Sequence, residues 1–102
     1  MDANLKILCR NTKFTLIFSN QHPSLSRNVW GLCDLSSRQM LVRKSLRGTK
    51  AIDTLIHEFS HGYFPDLGEE AVDQFATQLV AAMKKCKMID EAWNVKKLDS
   101  NE

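Results

Sequence analysis

From Lys13 to Ser19 the apolar residues Phe14, Leu16 and Phe18 alternate with Thr15, Ile17 and Ser19. This period of two predicts a strand with one face more buried than the other. Leu5 to Cys9 reads as a strand before it. The stretch Asn20 to Asn28 contains Pro23 and has no periodicity, which predicts a loop. Val29 to Cys33 and Gln39 to Arg43 then read as two short strands, joined by the turn-forming residues Asp34, Ser36 and Ser37.

After Gly48 the period changes. Ile52, Leu55, Ile56 and Phe59 recur at helical spacing, predicting a helix over about 49–61 that ends near Gly62 and Pro65. A second helix is expected over about 67–87. Asp66 stands as its N-cap, Glu69 completes a capping-box pattern, and Val72, Phe75, Ala76, Leu79, Val80 and Met83 form its apolar stripe. Trp93, Val95 and Leu98 are expected to pack a short tail on the body, and the last few residues to fray. The class is therefore α+β: about four strands within 5–43, followed by two helices.

At 102 residues the chain reads as one domain. Hydrophobic residues at 43% and charged residues at 25% suit an ordinary folded protein, and no apolar run nears the roughly 18 residues of a membrane span. The N-terminal stretch lacks the apolar core of a signal peptide, so the cytoplasm is the expected compartment. Cys9, Cys33 and Cys86 are an odd set at wide spacings and read as reduced thiols. Arg38, Arg43, Lys44, Arg47 and Lys50 fall close together, but a net charge of +2 favours a solvated basic face over a phosphate-binding patch.

The chemistry concentrates in His57-Glu-Phe-Ser-His61. In a helix this spacing puts two imidazoles on one face, one turn apart, where both can grip one ion. Glu58 is about 100° away around the helix, outside the ligand set but within reach of a water on the metal, as a general base must be. Two imidazoles with a carboxylate suit Zn2+ best. The third ligand must come from elsewhere, and the following Glu-Glu-Ala-Val-Asp stretch offers the favoured candidates: Glu69 lies on the stripe with Val72 and Ala76, while Glu70 is the alternative. His22 and Cys33 are further candidates. Asp73 could accept a hydrogen bond from a ligand imidazole and fix its tautomer. Against Glu69 stands its capping-box role with Asp66, and for Glu70 a first-turn position favoured by the helix dipole. Tyr63 is a candidate oxyanion stabiliser.

With these residues in view, the chain resembles the zincin metallopeptidases. The Glu69-x-x-x-Asp73 spacing is similar to the gluzincin pattern, in which a Glu ligand is followed four residues later by an Asp that orients a zinc-bound His. That resemblance implies a small antiparallel sheet ahead of the HExxH helix, with the Glu on a later helix. More narrowly, the chain resembles short bacteriophage proteins carrying a Gly-x-Cys-Asp segment (Gly31 to Asp34), a Ser-Leu-Arg-Gly turn (Ser45 to Gly48) and an HExxH followed by Phe-Pro-Asp-Leu (His57 to Leu67). In motif and size it is also similar to SprT-like and ImmA/IrrE-type peptidases. A phage origin would place it in the host cytoplasm. Only seven residues separate His61 from Glu69, fewer than in most gluzincins, so Gly62, Pro65 and Gly68 are expected to turn the chain sharply.

The expected function is a zinc-dependent peptidase, Glu58 activating the attacking water and an extended peptide pairing with the strand Gln39 to Arg43. Arg43, Lys44 and Arg47 would bias it toward acidic substrates or proteins held on nucleic acid; direct nucleic-acid binding lacks aromatic interleaving. The alternative is a catalytically silent zinc-binding protein that attaches to a host protein.

Overall fold

The alternating segments form strands β1 (Ala3–Cys9), β2 (Thr12–Ser19), β3 (Gly31–Asp34) and β4 (Gln39–Arg43), and the helical-period segments form α1 (Gly48–Tyr63) and α2 (Glu69–Lys85). A 3-10 turn, Val95–Asp99, follows. The structure is a computed structural model that describes residues 3–26 and 28–99; the expected fraying falls on positions 100–102, outside the described residues.

One four-stranded sheet runs in the order β1-β2-β4-β3. The β1/β2 and β3/β4 pairs are antiparallel, but β2 and β4 are parallel, with Thr15 opposite Gln39 and Ser19 opposite Arg43. The sheet is thus mixed where the resemblance implied antiparallel pairing throughout. The segment 20–30 carries the chain out to the far edge, and β4 then returns between β3 and β2. Its central place has a physical cause: Met40, Leu41 and Val42 are consecutive and 0–1% exposed, a run that needs cover on both faces. The expectation that Gln39 to Arg43 is an exposed edge for peptide pairing is therefore wrong. The edges are β1 and β3.

Phe14, Leu16 and Phe18, with Cys9, Met40 and Val42, form the face that packs beneath α1. The other face, Ile17 and Leu41, lies under Leu25 from the 20–30 loop, so β2 is buried on both sides where the loop crosses it. Arg43 holds that loop down. Its Nη2 donates to the carbonyls of Ser26 (2.6 Å) and Val29 (2.8 Å), and its Nε to Val29 (3.0 Å). A residue expected on a solvated basic face is instead half-buried and structural.

The residues of α1 buried most deeply are small or polar: Ala51, Thr54, Glu58 and Ser60. Leu55 and Phe59 are only half-buried against the core, and Ile56 turns toward an apolar groove beside α2. This follows from the close approach of α1 to the sheet. A Cβ on Gly31 would lie 2.6 Å from Thr54 Cγ2 and 3.0 Å from Glu58 Cγ; one on Gly62 would lie 2.5 Å from Met40 Cε. Gly62 stays inside the helix, so it serves packing and not the turn expected of it. At the other end Glu91 substitutes for a local cap, accepting from Thr49 N (2.9 Å) and Thr49 Oγ1 (2.6 Å), while Gly48 N donates to the carbonyl of Trp93. The tail packs as expected, with the Trp93 ring 5.9 Å from Phe18.

Helix α2 begins at Glu69 with Gly68 as N-cap and no side-chain cap. The expected capping box fails because Glu69 is already the first helical residue, too early to reach back to Asp66. Val72, Ala76 and Val80 are buried, whereas Phe75 (47% exposed) and Leu79 (39%) border the groove. No helix among the described residues is long and apolar enough to cross a membrane.

Candidate metal centre

The helical spacing of His57 and His61 brings their Nε2 atoms to 3.2 Å, with the rings edge to face. The short 64–68 connection then turns α2 so that Glu69 in its first turn faces both. Glu69 Oε2 is 3.0 Å from His57 Nε2, and Oε1 is 2.9 Å from His61 Nε2. One turn further along α2, Asp73 Oδ1 lies 3.1 Å from His57 Nδ1.

The hydrogen-bond roles decide what this cluster wants. An ionised carboxylate only accepts, so the proton at Asp73 belongs to His57 Nδ1. A neutral His57 then presents a bare lone pair at Nε2, facing a Glu69 oxygen and the second imidazole. Two ring nitrogens and two carboxylate oxygens, in contact at 2.9–3.2 Å, repel one another unless a cation or proton lies among them. Tetrahedral zinc, with ligand bonds of about 2.0–2.2 Å, sets its donors about 3.3 Å apart. His57, His61 and Glu69 form a group that could hold a metal ion, and their types and spacing fit zinc.

Glu58 sits beside this group, 8% exposed, under the edge strand at Gly31. Burial pushes its carboxyl up to about 7; the His57 imidazole opposes the rise, and the Glu69 and Asp73 carboxylates add to it. An acid with its transition near neutrality can both take and return a proton there. Glu58 and His57 line two adjoining openings between α1 and β3. One, of about 400 Å³, includes Cys33, His61, Pro65 and Glu69; the other, of about 220 Å³, includes Trp30, Asp53 and Thr54. Together they form a cleft along the free edge of β3.

The structure thus brings together His57, Glu58, His61, Glu69 and Asp73. Glu70 is exposed and is not in the convergent group. His22 lies in the 20–30 loop, its Nδ1 accepting from Ser24 N, and Cys33 borders the cleft without joining the donors. Burial, with the negative charge of Glu58 behind it, pushes the Cys33 thiol to about 12, so it stays protonated. Tyr63 is placed away from the cleft, stacked on Phe59 at 6.1 Å and bordering the apolar groove, so the structure does not bring it to the site as an oxyanion donor. Sequence reasoning missed Gly31. Its signal was a glycine at the start of a strand, which marks close approach by another element.

No family model matches this chain, and no significant match occurs among curated proteins or solved structures.

Proposed function

We propose that the protein is a zinc-dependent hydrolase of the metallopeptidase type. The observation that carries this reading is the convergence of His57 Nε2, His61 Nε2 and the Glu69 carboxylate within 2.9–3.2 Å, beside a buried Glu58 in an open cleft. Zinc bound there would supply a Lewis acid for a peptide carbonyl and bring the pKa of a bound water near 7. Glu58, buried beside the site, takes a proton from the attacking water and returns it to the leaving amine. Asp73 holds the His57 ring in the tautomer that presents Nε2 to the site. An extended substrate pairs with the free edge of β3, which flanks the cleft from Gly31 to Cys33. The three free thiols suit a reducing cytoplasm.

A second reading, a zinc-stabilised protein that binds a host protein and cleaves nothing, is favoured by the apolar groove of about 630 Å³ behind α1, bordered by Phe59, Phe75 and Leu79.

The test is metal content of untagged protein, followed by cleavage of unstructured peptide substrates. About one zinc per chain is expected, lost in His57→Ala, His61→Ala and Glu69→Ala but kept in Glu70→Ala. Glu58→Gln should keep the zinc and lose cleavage. A folded wild type without stoichiometric metal, even after zinc is supplied, rejects the hydrolase reading; zinc with no Glu58-dependent cleavage favours the binding protein.

A further inference from the structure

We infer that Arg10 and Arg38 form a carboxylate-binding subsite at one end of the cleft, so that the preferred substrate is a peptide carrying a negative charge on that side of the bond to be cut. The substrate assignment rests on the peptidase reading above; the anion site itself rests on the geometry that follows.

Arg10 lies in the turn between β1 and β2, and Arg38 in the turn between β3 and β4. The central place of β4 beside β2 sets these two turns next to each other, since Thr15 N donates to the Arg38 carbonyl at 2.9 Å. Both arginines border one recess of about 350 Å³, together with Gly62 and Pro65. That recess adjoins the larger opening of the cleft, because Leu35 and Pro65 line both. A peptide lying along β3 past His57 and His61 would therefore run toward the recess that both arginines border.

Two features set these residues apart from surface arginines in general. Both have left-handed backbones, φ 56 at Arg10 and φ 57 at Arg38, in the region where turns favour glycine or asparagine. Neither turn gains from an arginine there on conformational grounds. Secondly, both retain unused donors. Arg10 makes one long contact, Nη1 to the Tyr63 carbonyl at 3.4 Å, and lies 5.9 Å over the Tyr63 ring. Arg38 is exposed, and neither guanidinium has an ion-pair partner among the described residues. The nearest acid in sequence to Arg38, Asp34, is occupied in its own turn, its Oδ1 accepting from Ser36 N, Ser36 Oγ and Ser37 N.

The acids of the cleft lie away from this end. Glu58 and Glu69 line its middle, and Asp53 lines the far opening. At the arginine end a guanidinium can hold the carboxylate of a bound peptide by two charge-assisted hydrogen bonds. This polarity would fix the direction of the peptide as well as its charge. It also moves the expected acidic preference from Arg43, which is tied to the loop carbonyls, to a pair of residues bordering the cleft. The carboxylate could belong to an acidic side chain or to the C-terminus of the substrate.

The experiment uses zinc-loaded Glu58→Gln protein, with zinc content measured on every sample, and calorimetric titration of three N-acetylated alanine-based pentapeptides. One carries an internal glutamate and an amidated C-terminus, one is neutral with a free C-terminal carboxylate, and one is neutral and amidated. At least one anionic peptide should bind about tenfold tighter than the neutral one, and the preference should vanish when Arg10→Gly and Arg38→Gly are added. Which anionic peptide wins identifies the source of the carboxylate. Glycine suits both left-handed positions, so these variants should melt no lower than their parent. Equal or undetectable binding of all three peptides, or a preference that survives both substitutions, overturns the inference. Zinc bound without any preference removes this subsite alone; a preference that persists in protein unable to hold zinc removes the hydrolase reading and leaves an anion-binding groove.

Discussion

Removing the Asp73 carboxylate tests whether His57 is a prepared ligand or only a nearby base. Asp73 Oδ1 lies 3.1 Å from His57 Nδ1 and fixes which ring nitrogen carries the proton. Loss of such an outer partner weakens metal binding about 10- to 100-fold. Because the Asp73 side chain is 59% exposed, water can replace part of the interaction, and the effect of Asp73→Ala should fall at the low end. We expect about tenfold weaker zinc binding, about 1.4 kcal/mol. Asp73→Asn keeps an acceptor toward Nδ1 but loses the charge, so it should weaken binding less. Glu69→Ala, which deletes a proposed ligand, should weaken it most. Competition against a fluorescent chelator gives the three affinities, and nitrogen NMR of the imidazoles gives the tautomers. In zinc-free protein, wild-type His57 should carry its proton on Nδ1, and the alanine variant should show a mixture. A zinc affinity within twofold of wild type in Asp73→Ala, with the tautomer unchanged, would refute the reasoning.

Two other outcomes follow from the packing of α1. Gly31→Ala would place a methyl group 2.6 Å from Thr54 Cγ2 and 3.0 Å from both Glu58 Cγ and the Leu41 carbonyl, which should destabilise the fold by about 1–3 kcal/mol in urea titration and lower hydrolysis more than zinc content. A variant with unchanged stability and activity would show that β3 and α1 are not held this closely. Glu91 has its carboxyl held below the usual range by the hydrogen bonds from Thr49, so its stabilisation is present above the unfolded value and is lost as pH falls through the lower folded one. Thermal melting of wild type should therefore fall more steeply on acidification from neutral pH than that of Glu91→Gln. Parallel curves would argue that the cap contributes nothing.

The elements were legible where their signal is local. The alternation of Phe14, Leu16 and Phe18 identified β2 and its inward face, and the apolar spacing after Gly48 identified both helices. The place of β4 was not legible from alternation alone, because a parallel pairing depends on where an unpatterned loop carries the chain. The consecutive Met40, Leu41 and Val42 were nevertheless a hint of a central strand. Within the site, the HExxH spacing and the run of acids from Glu69 to Asp73 could be read directly. The choice between Glu69 and Glu70 could not, since an acid in a first helical turn serves equally well as a cap or dipole partner. The Glu91 cap spans 42 residues of sequence and the Arg10 and Arg38 turns take unfavoured residues, so neither left a local mark.

Helix α2 carries two of the acids of the candidate metal centre yet rests mainly on α1, buried along Val72, Ala76 and Val80 and open to a groove on its other flank. With a metal bound it would be a cantilever whose root is the proposed ligand cluster. An ion bound at a thousand times its dissociation constant would add about 4 kcal/mol to the folded state, and most of that would tighten the root and little would reach the sheet. Zinc would then act as a rivet as well as a reagent. Starved of it, the sheet would persist while the arm loosens and offers its backbone to cellular proteases, so that metal supply would govern the lifetime of the chain along with its chemistry.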